Sequence, residues 1–109
     1  MICRMWHGWT SLANADLYDA YLREDLFPRV QRELAQHGYR GFNVLRLARG
    51  AEVEFVTQVW FESLDAVKSF AGENYETPVI SPKAKALLSR HAERCDHFHL
   101  SSFAWPATG

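Results

Sequence analysis

The sequence predicts an α+β fold, a four-stranded antiparallel sheet with helices on one face in ferredoxin-like order. Three observations carry that prediction. Stretches of two-residue and of three-to-four-residue hydrophobic periodicity alternate as β, α, β, β, α, β, with an extra short helix near 82–91. The two central strands are separated only by "RGAE", a hairpin-length connection. The chain has 109 residues, room for one domain that buries about two-thirds of its unfolded surface without staples. That domain is expected to span 1–105, followed by a short tail, 106–109.

Each element has a local reason. "ICRMWHGW", 2–9, alternates as a strand, with Cys3, Met5, His7 and Trp9 on one face and Ile2, Arg4 and Trp6 on the other. Both faces carry large groups, so the strand should be covered on both sides. Asn14 is the expected cap of a helix whose apolar stripe runs through Leu17, Tyr18, Tyr21 and Leu22. Pro28 lacks an N–H and disfavours helical geometry at Phe27, which predicts a break or kink at 26–28. A second short helix should then run through Val30 and Leu34 to Gly38.

"GFNVLRLA", 41–48, and "EFVTQVWF", 54–61, form the hairpin, with Gly50 free to take positive φ. Ser63 caps a helix that packs Leu64, Val67 and Phe70 and stops at Gly72. Ser81-Pro82 starts the extra helix, with Ala84, Leu87, Leu88 and His91 on one side. "CDHFHLSSFAW", 95–105, is the last strand.

Composition narrows the function. Apolar residues make up 48% of the chain and the formal charge is −1, which points away from disorder and from nucleic acid. Four Trp, four Tyr and seven Phe exceed what a minimal core needs and suggest a cavity or an interface. No apolar run approaches the roughly 20 residues that span a bilayer, and "MICRMWHGW" lacks the charge pattern of a signal peptide. A cytoplasmic protein with no membrane partner is expected, its Cys3 and Cys95 reduced and unbridged. A sheet with bulky groups on both faces calls for a second copy of itself, a two-fold homodimer.

The most chemically suggestive stretch is "RCDHFHL", which sends His97 and His99 to the same face of a strand. With His7 on a neighbouring strand they could form an open three-nitrogen metal site, but no Asp, Glu or Cys is placed to complete it; no metal is assigned. His97, with an ordinary pKa of about 6.5, suits either a general base or a packed, hydrogen-bonded imidazole.

"MICRMWHGWT", "VWFESLDAVKSFAG", the loop around "ENYETPVISPKA" and "CDHFHL" resemble the antibiotic biosynthesis monooxygenase family over nearly the full length. The resemblance implies a dimeric α/β barrel, two sheets face to face, with a pocket in each subunit. It also implies oxidation of a small phenolic or polyketide-type aromatic substrate by O₂ without metal, flavin or haem.

On that reading His97 is the base and Arg4 holds the substrate anion, while Trp6, Trp60, Phe70 and Tyr75 wall the ring. Trp60 and Phe70 fit core packing as well, Arg4 fits a cross-strand pair, and Tyr75 lies in a loop suited to a gate or to a dimer contact. The family's haem-degrading branch fits poorly. Its first-strand Asn is missing, Phe70 stands near its helix Trp, and only His91 could serve as the iron ligand. The resemblance also suggests that His7 and His99 replace a polar cross-strand pair. The alternative to an enzyme is a non-enzymatic dimer that binds a small molecule or is purely structural.

Overall fold

The computed structural model describes residues 1–104 and 106. Its element order is β1 (Ile2–Ser11), α1 (Leu12–Tyr21), a π-helical turn (Leu22–Leu26), α2 (Phe27–Leu34), a 3₁₀ turn (Ala35–His37), β2 (Tyr39–Arg49) and β3 (Glu52–Phe61). α3 (Leu64–Ala71), α4 (Pro82–Leu87), β4 (Leu88–His91) and β5 (Asp96–His99) complete it. The sheet is antiparallel and runs β2-β3-β1, with β4 and β5 both paired to the free edge of β1. This is an α+β arrangement with the strand order of the ferredoxin-like class.

The helices cover the face that carries Ile2, Val53, Phe55, Val59 and Phe61. Two core clusters form there. One gathers Ile2, Val30, Tyr39, Val59, Phe61 and Val67; the other gathers Ala15, Tyr18, Tyr21, Leu22, Phe55 and Ala84. On β3 the strict alternation of buried and half-buried residues separates this face from the opposite one.

Caps and turns follow the side chains available. Ser63 Oγ accepts from Ala66 N and Ser81 Oγ from Ala84 N, as the sequence leads one to expect. The first helix is capped by Ser11, not Asn14: Ser11 Oγ accepts from Asn14 N at 3.2 Å, and Asn14 Nδ2 instead reaches Leu87 O. Ser11 wins because it is the last extended residue, the position from which a hydroxyl meets the N–H three residues on. The stripe of this helix is Ala15, Tyr18, Tyr21 and Leu22, while Leu17 is exposed.

The irregularity attributed to Pro28 lies one turn earlier, at 22–26. Phe27 N bonds to Leu22 O, an i to i−5 step that widens the helix ahead of the proline ring, and the chain passes Pro28 without breaking. Gly38 ends the segment at φ 91°, where an added Cβ would stand 2.7 Å from Ala66 Cβ. Gly50 turns the hairpin at φ 57°.

The last strand differs most from expectation. The extra helix ends at Leu87, and 88–91 pairs with β1 as a strand. The segment expected as one strand over 95–105 is regular only over 96–99; Trp105 and most of the tail lie outside the described residues. Five steps from His91 to Asp96 are set against three on β1, from Gly8 to Met5, so the edge bulges away between them. Trp6 fills the gap, its indole N–H donating to Ala92 O at 2.8 Å.

Both cysteines are free and buried. Cys3 faces Phe98, three residues beyond Cys95.

Candidate functional site

Between the two core clusters the packing does not close. A cavity of about 390 Å³ remains, bounded by the sheet below and by α1, α2 and the 78–84 segment above. Its size falls within the ordinary range of small-molecule pockets. Phe42, Val59 and Phe70 line one end, and Tyr18, Tyr21, Leu22 and Ile80 the other. Trp6 and Thr57, opposite each other on β1 and β3, form the waist.

Arg4 lines this cavity from the sheet and is 4% exposed; Arg29 and Glu33 are the other charged residues of its lining. Its position on β1, in register with His97 on β5, puts both side chains on the helix-covered face. Nη1 donates to Tyr75 O and lies 3.1 Å from His97 Nε2, Nη2 donates to Thr77 O at 3.2 Å, and the guanidinium sits 5.5 Å above the Phe70 ring. Every one of these partners is neutral. Burial pulls the Arg4 pKa below its ordinary value, although the nearby Cys95 opposes this, and a guanidinium stays protonated even so.

Since the guanidinium can only donate, His97 Nε2 is the acceptor, and the imidazole is the neutral Nδ1-protonated tautomer. Its pKa is held below the ordinary histidine value, first by burial and then by the Arg4 charge; Glu76 and Asp96 pull the other way. The Tyr75 ring stands edge-on to His97, with centroids 5.1 Å apart. His97, His99 and Tyr75 line a second, more open depression on the far side of Arg4, and Cys95 borders both spaces. Burial pushes the Cys95 thiol up, against the pull of Arg4.

Five of the six residues singled out in the sequence therefore converge. Arg4, Trp6 and Phe70 line the cavity, and His97 touches it only through Arg4. Tyr75 takes part by its backbone carbonyl and its contact with His97. Trp60 does not join them. It alternates with Val59 and Phe61 on β3, lies on the opposite face, and donates to Asn43 Oδ1 at 2.6 Å.

The histidine constellation is likewise divided by the sheet. His97 and His99 share a face, but His7 is on the other, with Nδ1 2.9 Å from Glu54 Oε2. Paired positions on β1 and β5 are Ile2 with His99, so His7 and His99 are not a cross-strand pair. Among the described residues no group of three His, Cys, Asp or Glu is placed to hold a metal ion. His91, the one candidate for an iron ligand, lies on β4 with Nδ1 bonded to its neighbour Ala92 O.

The sequence reading places Tyr18 and Tyr21 on an apolar helix stripe, takes Cys95 as a reduced thiol and gives Thr57 no role of its own. The available signal was polar-tipped aromatics at Tyr18 and Tyr21, on a helix stripe where Leu or Ile would pack without a hydroxyl to satisfy. Comparison with protein-family models, with curated proteins and with solved structures finds no match. Among the described residues no helix is long and apolar enough to cross a membrane.

Proposed function

We propose that the cavity receives a small aromatic molecule bearing an acidic hydroxyl, bound as its anion at Arg4, and that the bound anion is oxidised by O₂. One observation carries this reading: a buried guanidinium whose partners are two carbonyls and a neutral imidazole, with no carboxylate. Burying a charge is costly unless it is compensated, and a phenolate supplies the missing charge. The flat walls of Trp6, Phe42 and Phe70 suit a ring.

Oxidation of a naphthol-like phenol then needs no outside reductant. The phenolate gives one electron to O₂, and the radical pair combines at a ring carbon. One oxygen atom stays on that carbon as a quinone carbonyl, and the other leaves as water with the two hydrogens the substrate loses. His97 accepts the phenolic proton when the anion displaces Nε2 from Nη1 and, its pKa being lowered, hands that proton on to solvent. A binding protein without catalysis is the second reading, favoured because Nε2 is turned to Arg4 and not to the cavity.

Calorimetry with 1-naphthol and naphthalene tests both readings. Wild type should bind 1-naphthol with release of a proton to buffer, consume O₂ and form 1,4-naphthoquinone. Arg4→Met should lose the preference for naphthol over naphthalene. His97→Ala should keep binding and lose turnover. Proton-releasing binding without O₂ uptake leaves the binding protein standing; equal affinity for the two compounds defeats the anion site.

We also propose that a second copy covers the open sheet face, giving the two-fold barrel that the family resemblance implies. Leu45, Leu47 and Phe98 are about half exposed there. Several polar groups of that face are already paired within the chain, His7 with Glu54, Arg90 with Glu52 and Trp60 with Asn43. Those pairs bring no unmatched charge into a self-association. Light scattering at micromolar concentration should give a dimer mass, and Leu45→Asp with Leu47→Asp a monomer; a monomeric wild type removes the barrel.

A further inference from the structure

We propose that Tyr18 and Thr57 form a polar seat inside the cavity that donates hydrogen bonds to an uncharged acceptor oxygen of the ligand, and so set which aromatic molecules it accepts. This rests on the reading that the cavity takes an aromatic molecule. It assigns a role to Tyr18, at the end of the cavity away from Phe70, and to Thr57 at its waist.

Tyr18 is 1% exposed and its ring is fixed, edge-on to Phe55 at 5.0 Å and stacked with Tyr21 at 6.3 Å. Yet its hydroxyl has no hydrogen-bond partner among the described residues. Every fully occluded side-chain N or O atom among them does have one, so the Tyr18 Oη must border open space, and the space this residue lines is the cavity. The neighbouring tyrosine shows the contrast: Tyr21 Oη is closed off by Ser81 Oγ at 2.6 Å.

Thr57 repeats the pattern on the sheet. It is 8% exposed, lines the cavity two residues from Phe55 on the same strand face, and its hydroxyl is also without a partner. Thr10, the other buried threonine, spends its hydroxyl on Ser11 O at 2.9 Å. Burial and the nearby Tyr21 push the Tyr18 pKa upward, so the phenol keeps its proton and donates it. Two neutral donors in an apolar enclosure suit a carbonyl oxygen, whereas the anion is met by Arg4 on the other flank.

The matched pair 1-tetralone and tetralin, which differ only in the carbonyl, reads this directly by calorimetry on the intact protein. Wild type should prefer the ketone by about ten-fold, the worth of one to two buried hydrogen bonds. Tyr18→Phe should cut ketone affinity about five- to ten-fold and leave tetralin within about two-fold. Its melting temperature should hold or rise, because the lost hydroxyl has no protein partner. Thr57→Val should shift the same ratio by less, and it carries the test should the tyrosine variant not fold. Binding of both compounds with an unchanged ratio in both variants overturns the seat while leaving the aromatic-ligand reading intact. No binding of either compound to wild type defeats that reading, and the seat with it.

Discussion

Arg4 and His7 stand three residues apart on β1, on opposite faces of the sheet, and each makes a polar contact to a neighbouring strand. His7 meets a carboxylate, Glu54, and both side chains are part exposed, at 38% and 20%. Arg4 is buried and meets only neutral acceptors. The first pair is matched in charge potential and wet, so it asks nothing of a ligand. The second leaves a positive charge beside a 390 Å³ cavity. Polarity alone does not mark a site; a buried charge whose partners do not cancel it does.

Removing the unmatched group should have the largest effect. Arg4 ties β1 to the 72–81 segment through Tyr75 O and Thr77 O, and Cys95 N holds the same segment through Glu76 O at 2.7 Å. Arg4→Met should cost about 2–4 kcal/mol in urea unfolding, the loss of charge-assisted hydrogen bonds set against relief from burying a charge. Arg4→Lys should not restore it, because one ammonium cannot span two carbonyls and an imidazole in the plane of a fork. An unchanged urea midpoint in Arg4→Met would show that the segment is held without the guanidinium, and the contrast with His7 would lose its structural half.

The comparison also separates what the sequence could reveal from what it could not. The alternation of "ICRMWHGW" places Arg4 and His7 on opposite faces, and the caps at Ser63 and Ser81 are legible because they depend on residues three positions apart. Pairing across 93 residues, Arg4 with His97, is not a local property; family resemblance named the two as site residues, and only the register shows their contact. The split edge strand was missed because the Ala84-Leu87-Leu88-His91 spacing fits a helix until Trp6 claims the space at the bulge. Trp60 was misplaced for a related reason. Periodicity says which residues share a face but not which face the helices cover. Unpartnered hydroxyls such as Tyr18 Oη are invisible to any pattern, since satisfaction is a matter of three-dimensional neighbours.

A smaller effect should follow from His97→Ala, which removes Nε2 from Arg4 and should cost about 1 kcal/mol at pH 8. Its pH dependence sharpens the comparison. The folded-state pKa of His97 is lowered, so the unfolded chain takes up a proton that the folded one resists. Its contribution is therefore fully present above the unfolded value of about 6.5 and declines as pH falls through the folded one. The stability difference between wild type and His97→Ala should be flat above about pH 7.5 and narrow below 6.5. A difference that widens on acidification would mean that the imidazolium, not the imidazole, is the form Arg4 tolerates.

The smallest effect belongs to the matched pair. Glu54→Gln keeps a hydrogen-bonding oxygen opposite His7 Nδ1 and removes only the charge, at a site where water already screens it. Urea midpoints should move by less than about 0.5 kcal/mol equivalent, and added salt should shrink even that. Affinity for 1-naphthol should not change, because the sheet lies between Glu54 and the cavity and the alternation of β3 turns this carboxylate away from the helices. Should Glu54→Gln weaken naphthol binding as Arg4→Met is expected to, charge on the open face would be coupled through the sheet to the cavity, and burial would no longer be what distinguishes the two partners of β1.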